Sequence, residues 1–180
     1  MIEVEVKASI KDFQEMKEKL KEIKAKKVSK EIQEDIYFER EDIGFARNDM
    51  ALRIREIKEN QRTNTVITYK GPKIDDKTKT REEIELKIED KEKLKRILER
   101  LRFVESGLVK KTREIFKFDD MIISLDDVEG LSPYMEIEID LKDDSDYQPS
   151  IDKIYSLFEK LGVTDGFERT SYLELLENKK

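Results

Sequence analysis

The feature that most constrains this chain is a period-two alternation of charge and hydrocarbon that recurs along its length. Within residues 2–8, Glu3, Glu5 and Lys7 alternate with Ile2, Val4, Val6 and Ala8. A strand points successive side chains to opposite sides, so the two sets occupy opposite faces. The rule repeats with Arg53 and Arg55 against Leu52 and Ile54, and with Thr68 and Lys70 against Ile67 and Tyr69. It repeats again with Arg81, Glu83, Glu85 and Lys87 against Ile84, Leu86 and Ile88, and with Lys111 and Arg113. Ser124 and Asp126 oppose Ile123 and Leu125, and Glu136, Glu138 and Asp140 oppose Met135, Ile137, Ile139 and Leu141. A single solvated strand face looks the same. A solvated face would also carry Ser, Thr, Asn and Gln freely, whereas this one is nearly all carboxylate, guanidinium and ammonium.

Between these strands the spacing predicts helices. Ile10, Phe13, Met16, Leu20 and Ile23 recur at helical intervals over 10–25, and Leu94, Ile97, Leu98 and Leu101 do so over 91–102, with Asp90 placed to cap. A helix over 151–161 is closed by Gly162, and a short one over 170–177 follows. Extended segments are predicted at 28–38, 51–57, 65–70, 81–88, 103–118, 121–128 and 134–141. Gly71-Pro72 is expected to stop the fourth strand, and Asp119-Asp120 and Asp143-Asp144 to be turns. Short connections argue antiparallel pairing and an α+β fold in a single domain, 1–180. A sheet this long curls or closes. Two architectures fit: an open sheet with a wet charged face, or a barrel with helices outside and charges inside. The nearly uniform charge favours the barrel.

Composition narrows the chemistry. The chain has 180 residues, 37% hydrophobic and 44% charged, with net charge −6. The acidic balance argues against nucleic acid as a partner. No apolar run approaches the ~18 residues of a membrane span, so a soluble, cytoplasmic protein is expected. Cysteine and histidine are absent. Disulfides, thiolate catalysis and Cys-bound zinc are therefore excluded, and any metal must take oxygen ligands, which suits Mg²⁺ or Mn²⁺. General acids and bases are limited to Asp, Glu, Lys, Tyr or water.

Charges lining a lumen must pair with one another or bind counter-charges, since unpaired buried charge is costly. Carboxylates grouped on some strands suit divalent cations, and Arg and Lys on the others suit a polyanion, with Arg offering forked contacts to phosphate oxygens. Together they describe a metal–polyphosphate site. The basic segment Lys73, Lys77, Lys79 and Arg81 is expected to be a solvated loop, with electrostatic steering of an anion as its functional alternative. Tyr37, Phe38, Tyr69 and Tyr172 are expected to pack.

The residues in order resemble the CYTH superfamily of triphosphate tunnel metalloenzymes, which includes class IV adenylyl cyclases, thiamine triphosphatases and inorganic tripolyphosphatases. Glu3-x-Glu5-x-Lys7 is similar to its ExExK motif. Matches continue through Gln33-x-Asp35-x-Tyr37-Phe38, Ala51-Leu52-Arg53-Ile54-Arg55, Thr68-Tyr69-Lys70-Gly71-Pro72 and Arg81-x-Glu83-x-Glu85. They end with Lys111-x-Arg113, Leu125-Asp126-x-Val128, Glu136-x-Glu138 and Ser171-Tyr172-x-x-Leu175-Leu176. The resemblance implies an eight-stranded antiparallel barrel with a polar tunnel. It implies metal binding by Glu3, Glu5, Asp126, Glu136 and Glu138, with Glu83 and Glu85 either on metal or orienting basic residues. It implies a triphosphate clamp of Lys7, Arg53, Arg55, Lys70, Arg81, Lys111 and Arg113, with Lys110 exchanging with Lys111 if a bulge intervenes. Glu3, Glu5, Lys7 and Asp126 are its catalytic candidates. The implied reaction is that of a class IV adenylyl cyclase, ATP to cyclic AMP and pyrophosphate, with Mg²⁺ or Mn²⁺. The alternatives are hydrolysis of tripolyphosphate, thiamine triphosphate or a nucleoside triphosphate, and a non-catalytic polyphosphate-binding module. Monomer and homodimer both remain open.

Overall fold

The order of elements follows the patterning. The computed structural model describes residues 2–142 and 146–179; Asp143-Asp144 lies outside them. The elements are β1 (Ile2–Ser9), α1 (Phe13–Glu22), β2 (Lys26–Glu39), β3 (Ala51–Glu59), β4 (Arg62–Lys73) and β5 (Arg81–Ile88), then α2 (Lys91–Arg100), β6 (Val104–Phe118), β7 (Met121–Val128), β8 (Tyr134–Leu141), α3 (Gln148–Lys160) and α4 (Tyr172–Glu177). The strands close in the order β1-β5-β4-β3-β2-β6-β7-β8. Every neighbouring pair is antiparallel. The closed, eight-stranded antiparallel barrel is thus the fold.

Directly opposed residues share a face, so register carries the inward set around the wall. Glu138 opposes Glu5, Ser124 opposes Glu136, Arg113 opposes Asp126 and Asp35 opposes Arg55. The charged set therefore lines a lumen. Helices cover much of the outward hydrocarbon, while Ile32, Ile84, Leu86 and Leu108 stay exposed. Val4, Val6, Ala8, Ile123, Leu125, Met135 and Ile137 pack under α1 and α3 through Met16, Leu20, Ile151, Ile154, Leu157 and Phe158. Leu98 of α2 packs on Ile36, Leu52 and Ile54. Each such buried side chain contributes about 1.5–3 kcal/mol before entropy. Asp12 and Asp90 cap α1 and α2 by accepting the Glu15 and Lys93 N–H groups at 2.7 and 2.8 Å.

Three details differ from the sequence reading. Gly71-Pro72 does not stop β4. The strand runs on to Lys73 through a register shift between Lys70 and Lys73. A bulge absorbs the proline, which has no N–H to give the ladder. Helix α3 starts at Gln148, with Pro149 in its first turn, where a missing N–H is harmless. Helix α4 does not lie outside the wall. Tyr172, Leu173 and Leu176 pack with the inward residues Val109, Val128 and Tyr134, so α4 occupies one end of the barrel. Gly107 on β6 makes room for it, because a Cβ there would collide with Leu173.

Candidate active site in the tunnel

The lumen holds a cavity of about 530 Å³. Glu3, Glu5, Arg53, Arg55, Lys70, Arg81, Glu83, Glu85, Lys111, Arg113, Glu136 and Glu138 all line it. Of these Glu85 stands at the exposed end, accepting a bond from Thr68 at 3.1 Å. Lys7 and Asp126 are buried behind the lining. Lys111 faces the lumen, whereas Lys110 faces outward to Glu34 at 3.3 Å.

One part of the lining is closed by ion pairs. Arg55 donates a fork to Asp35 through Nε and Nη2 at 2.6 and 2.7 Å, and Arg53 stands 3.5 Å away. Burial pushes Asp35 upward, but the two guanidiniums outweigh it and hold the carboxyl well below the usual range. Arg113 makes a second fork to Asp126 at 2.7 and 2.5 Å and also donates to Glu136. Asp126 further receives Lys111 at 3.3 Å and the Tyr172 hydroxyl at 2.7 Å. Burial, and then Arg113, bring the Lys111 ammonium down to about 7. Lys7 donates to the Thr170 carbonyl and lies 4.2 Å from the centre of the Tyr172 ring. Burial and the nearby Lys79 lower Lys7 to about 8.

The other part is left open. Carboxylate oxygens of Glu3, Glu5 and Glu138 lie within 4.8 Å of one another. Glu3 has Lys70 at 3.6 Å, but Lys70 is held mainly by Glu83. Among the described residues Glu138 makes no ion pair. Burial, then Glu3, push Glu138 up to about 8, and burial with Glu136 raises Glu5. Glu5 is raised even with the Lys79 ammonium bonded to it, so burial and neighbouring carboxylates outweigh that one cation. An all-carboxylate donor set is the chemistry of a hard divalent cation, so the residues fit Mg²⁺ or Mn²⁺.

Some residues of the site were not singled out by sequence reasoning. Asp35 was seen only as part of a matching segment, and Tyr172 as packing. The expected solvated loop does not hold for Lys79, whose half-buried side chain points inward against Glu5 and Glu136. The signal was available, because Lys79 continues the parity of Arg81, Glu83 and Glu85 two residues upstream.

The comparisons with known proteins agree with this geometry. Residues 1–172 match the CYTH domain model. A Methanocaldococcus jannaschii protein, named as a candidate adenylate cyclase, is 44% identical over 176 residues, covering 97% of this chain and 98% of that one. A Pyrococcus horikoshii protein of solved structure is 42% identical, with TM-score 0.91 and 99% of each chain covered. A Hippeastrum candidate adenylyl cyclase, described as having a dominant triphosphatase activity, shares the fold at TM-score 0.69 and 17% identity over 99% of this chain and 96% of that one. No helix among the described residues is long and apolar enough to cross a membrane. The chain is a member of the CYTH domain family.

Proposed function

We propose that this chain is a divalent-metal-dependent enzyme that acts on a triphosphate held along the tunnel. The observation that carries this reading is the division of the lining. Glu3, Glu5 and Glu138 crowd together with only Lys70, shared with Glu83, and Lys79, shared with Glu136, as counter-charge, while Arg53, Arg81, Lys111 and Arg113 line the same cavity. A metal–triphosphate complex would bring a cation to the acidic group and anions to the basic one.

Glu3, Glu5 and Glu138 would hold the cation, with Glu136 beside them. When bound there, Mg²⁺ or Mn²⁺ neutralises charge on phosphate oxygens and polarises the phosphorus. Arg53, Arg81, Lys70, Lys111 and Arg113 align the phosphates in one extended pose, and Arg forks fix oxygen positions as well as charge. Asp35 holds Arg55, and Asp126 holds Arg113, so the clamp is set before substrate arrives and little reorganisation is needed.

The reaction read first is cyclisation of ATP. The ribose 3′-hydroxyl attacks the α-phosphorus and gives up its proton to water, the bond from that phosphorus to the α–β bridging oxygen breaks, and pyrophosphate leaves. The name of the 44% identical relative supports it. The second reading is hydrolysis of a triphosphate by water. It is favoured by the mouth of the cavity, where Tyr37, Phe45 and Met50 offer apolar surface. Three carboxylates beside it are engaged within the protein: Glu39 by the Phe45 and Ala46 N–H groups, Asp49 by Lys73, and Glu174 by the Ser171 N–H. The reading rests on that apolar surface, which a triphosphate can use without a base.

Product analysis by ³¹P NMR separates these. ATP and tripolyphosphate are incubated separately with Mg²⁺ or Mn²⁺, with Glu5→Ala as control. Cyclic AMP and pyrophosphate from ATP, reduced about 10²–10³-fold in the variant, is the expected result. Orthophosphate from tripolyphosphate, reduced likewise, replaces the cyclase by a tunnel phosphatase. Tight tripolyphosphate binding without turnover of either compound leaves a binding module and overturns the enzymatic reading.

A further inference from the structure

Lys79 stands in a segment whose backbone is fixed more firmly than a solvated loop requires. Asp75 accepts the Lys77 and Thr78 N–H groups at 2.8 and 2.7 Å and the Thr78 hydroxyl at 2.8 Å. Arg169 donates to the carbonyls of Thr78 and Asp75 at 2.9 and 2.6 Å. The Thr78 and Thr80 hydroxyls bond at 2.7 Å, and both side chains are buried. The Lys79 N–H donates to the Glu5 carbonyl at 2.9 Å. These contacts make an arch from 74 to 80 that delivers one long side chain into the tunnel.

The ammonium at its tip is bonded to the Glu5 carboxylate and lies 3.2 Å from Glu136 Oε1. Glu5 belongs to the acidic trio with Glu3 and Glu138. A divalent cation on that trio needs several carboxylate oxygens close around it. It would compete with Lys79 for Glu5, because two cations on one carboxylate in a poorly screened lumen repel strongly. The backbone of the arch need not move for the exchange. A lysine carries its charge on a flexible four-carbon stem, so the tip can swing while the arch stays pinned.

We propose that Lys79 is a displaceable counter-ion of the tunnel: its ammonium occupies Glu5 and Glu136 when no metal is bound, leaves Glu5 to a divalent cation, and becomes a further contact of the triphosphate. This rests on the reading of Glu3, Glu5 and Glu138 as the cation site. It assigns to the segment 74–80 a role in the order of events. Metal entry frees the cation that the polyphosphate then recruits, so the two ligands bind with positive coupling.

The test is Mn²⁺ binding, read from the electron paramagnetic resonance signal of free Mn²⁺, in the wild-type protein, Lys79→Ala and Lys79→Arg. Lys79→Ala is expected to bind Mn²⁺ about tenfold more tightly in the absence of triphosphate and to bind tripolyphosphate about tenfold more weakly once Mn²⁺ is saturating. Lys79→Arg, which keeps the charge, stays near wild type in Mn²⁺ affinity. Unchanged or weaker Mn²⁺ binding by a folded Lys79→Ala, beside normal binding by the wild type, overturns the exchange and leaves the metal site standing. Absence of Mn²⁺ binding in all three proteins overturns the metal reading and the exchange with it. A second measurement needs no variant. Labelling of the Lys79 amine by a small acylating reagent, followed by mass spectrometry, should rise on adding Mn²⁺ and fall on adding tripolyphosphate. Labelling that stays constant while Mn²⁺ binds overturns the proposal.

Discussion

Asp35 and Glu138 are both carboxylates aimed into one lumen, and the barrel treats them in opposite ways. Asp35 sits between Arg55 and Arg53, with its oxygens taken by a guanidinium fork. Glu138 faces Glu3 and Glu5 and, among the described residues, makes no ion pair. Asp35 is buried and Glu138 half-buried, and burial by itself pushes both carboxyls the same way, upward. The difference lies in who stands opposite on the neighbouring strand. Asp35 is registered against Arg55, and Glu138 against Glu5. A buried charge with its partner in place positions a clamp. A buried charge left among like charges costs stability and persists where a ligand restores the balance. The contrast locates the part of the tunnel that is built and the part that waits.

The sharpest way to break this comparison is to remove the Asp35 carboxylate. Asp35→Asn leaves two guanidiniums buried without their anion and should lose about 3–5 kcal/mol in chemical denaturation. The pH dependence has a definite sign. The folded Asp35 holds its proton less tightly than the unfolded one, whose ordinary value is 3.8. Its stabilisation is therefore complete above that value and is lost as pH falls below it. The gap between wild type and Asp35→Asn should narrow below about pH 4. An equal gap at pH 3 and pH 7 would show that the pair does not carry the difference.

The opposite behaviour is expected of Glu138. Glu138→Gln removes one of three crowded carboxylates, so the metal-free protein should melt no lower than wild type and its melting temperature should rise. Mn²⁺ at a hundred times its dissociation constant stabilises a one-site protein by about 2.7 kcal/mol. That gain is expected in the wild type and should be lost in Glu138→Gln over the same range of Mn²⁺. A variant that melts well below wild type without metal, or that keeps the full Mn²⁺ gain, would erase the distinction between the two carboxylates.

Much of this was legible before any coordinates. The parity of Glu3, Glu5 and Lys7 against Val4 and Val6 fixes which side of β1 is wet, and the same rule on β8 and β6 brings Glu136, Glu138 and Arg113 together. The length of the sheet implied that it curls or closes, and the nearly uniform charge of one face favoured the barrel over the open sheet. What was not legible depends on contacts distant in sequence. Nothing local to Lys79 says that Arg169 will pin its arch. Nothing near Ser171-Tyr172 says that the last helix will enter the barrel, since the space it needs is made at Gly107. The division between paired and unpaired carboxylates was equally hidden. It depends on register between strands, and a one-residue slip would exchange the partners of every side chain.

The smallest effect tests the argument most economically, because it repeats the arrangement of Asp35 on the outside of the wall. Glu114 also lies between two cations, with Lys17 and Lys27 each 2.6 Å from its oxygens. By distance alone it matches Asp35. Its partners, however, are 33% and 52% exposed, against 10% for the arginines of Asp35. Water screens the outer pairs and solvates the lysines when the carboxylate is gone. Glu114→Gln should therefore cost only about 0.2–1 kcal/mol, and the loss should shrink further at ~1 M salt, where the screening length is about 3 Å. Asp35→Asn should lose comparatively little of its effect in the same salt. If the two substitutions cost the same, geometry rather than burial sets the strength of these pairs, and the difference between the pre-paired clamp and the acidic trio has to be sought in something other than counter-charge.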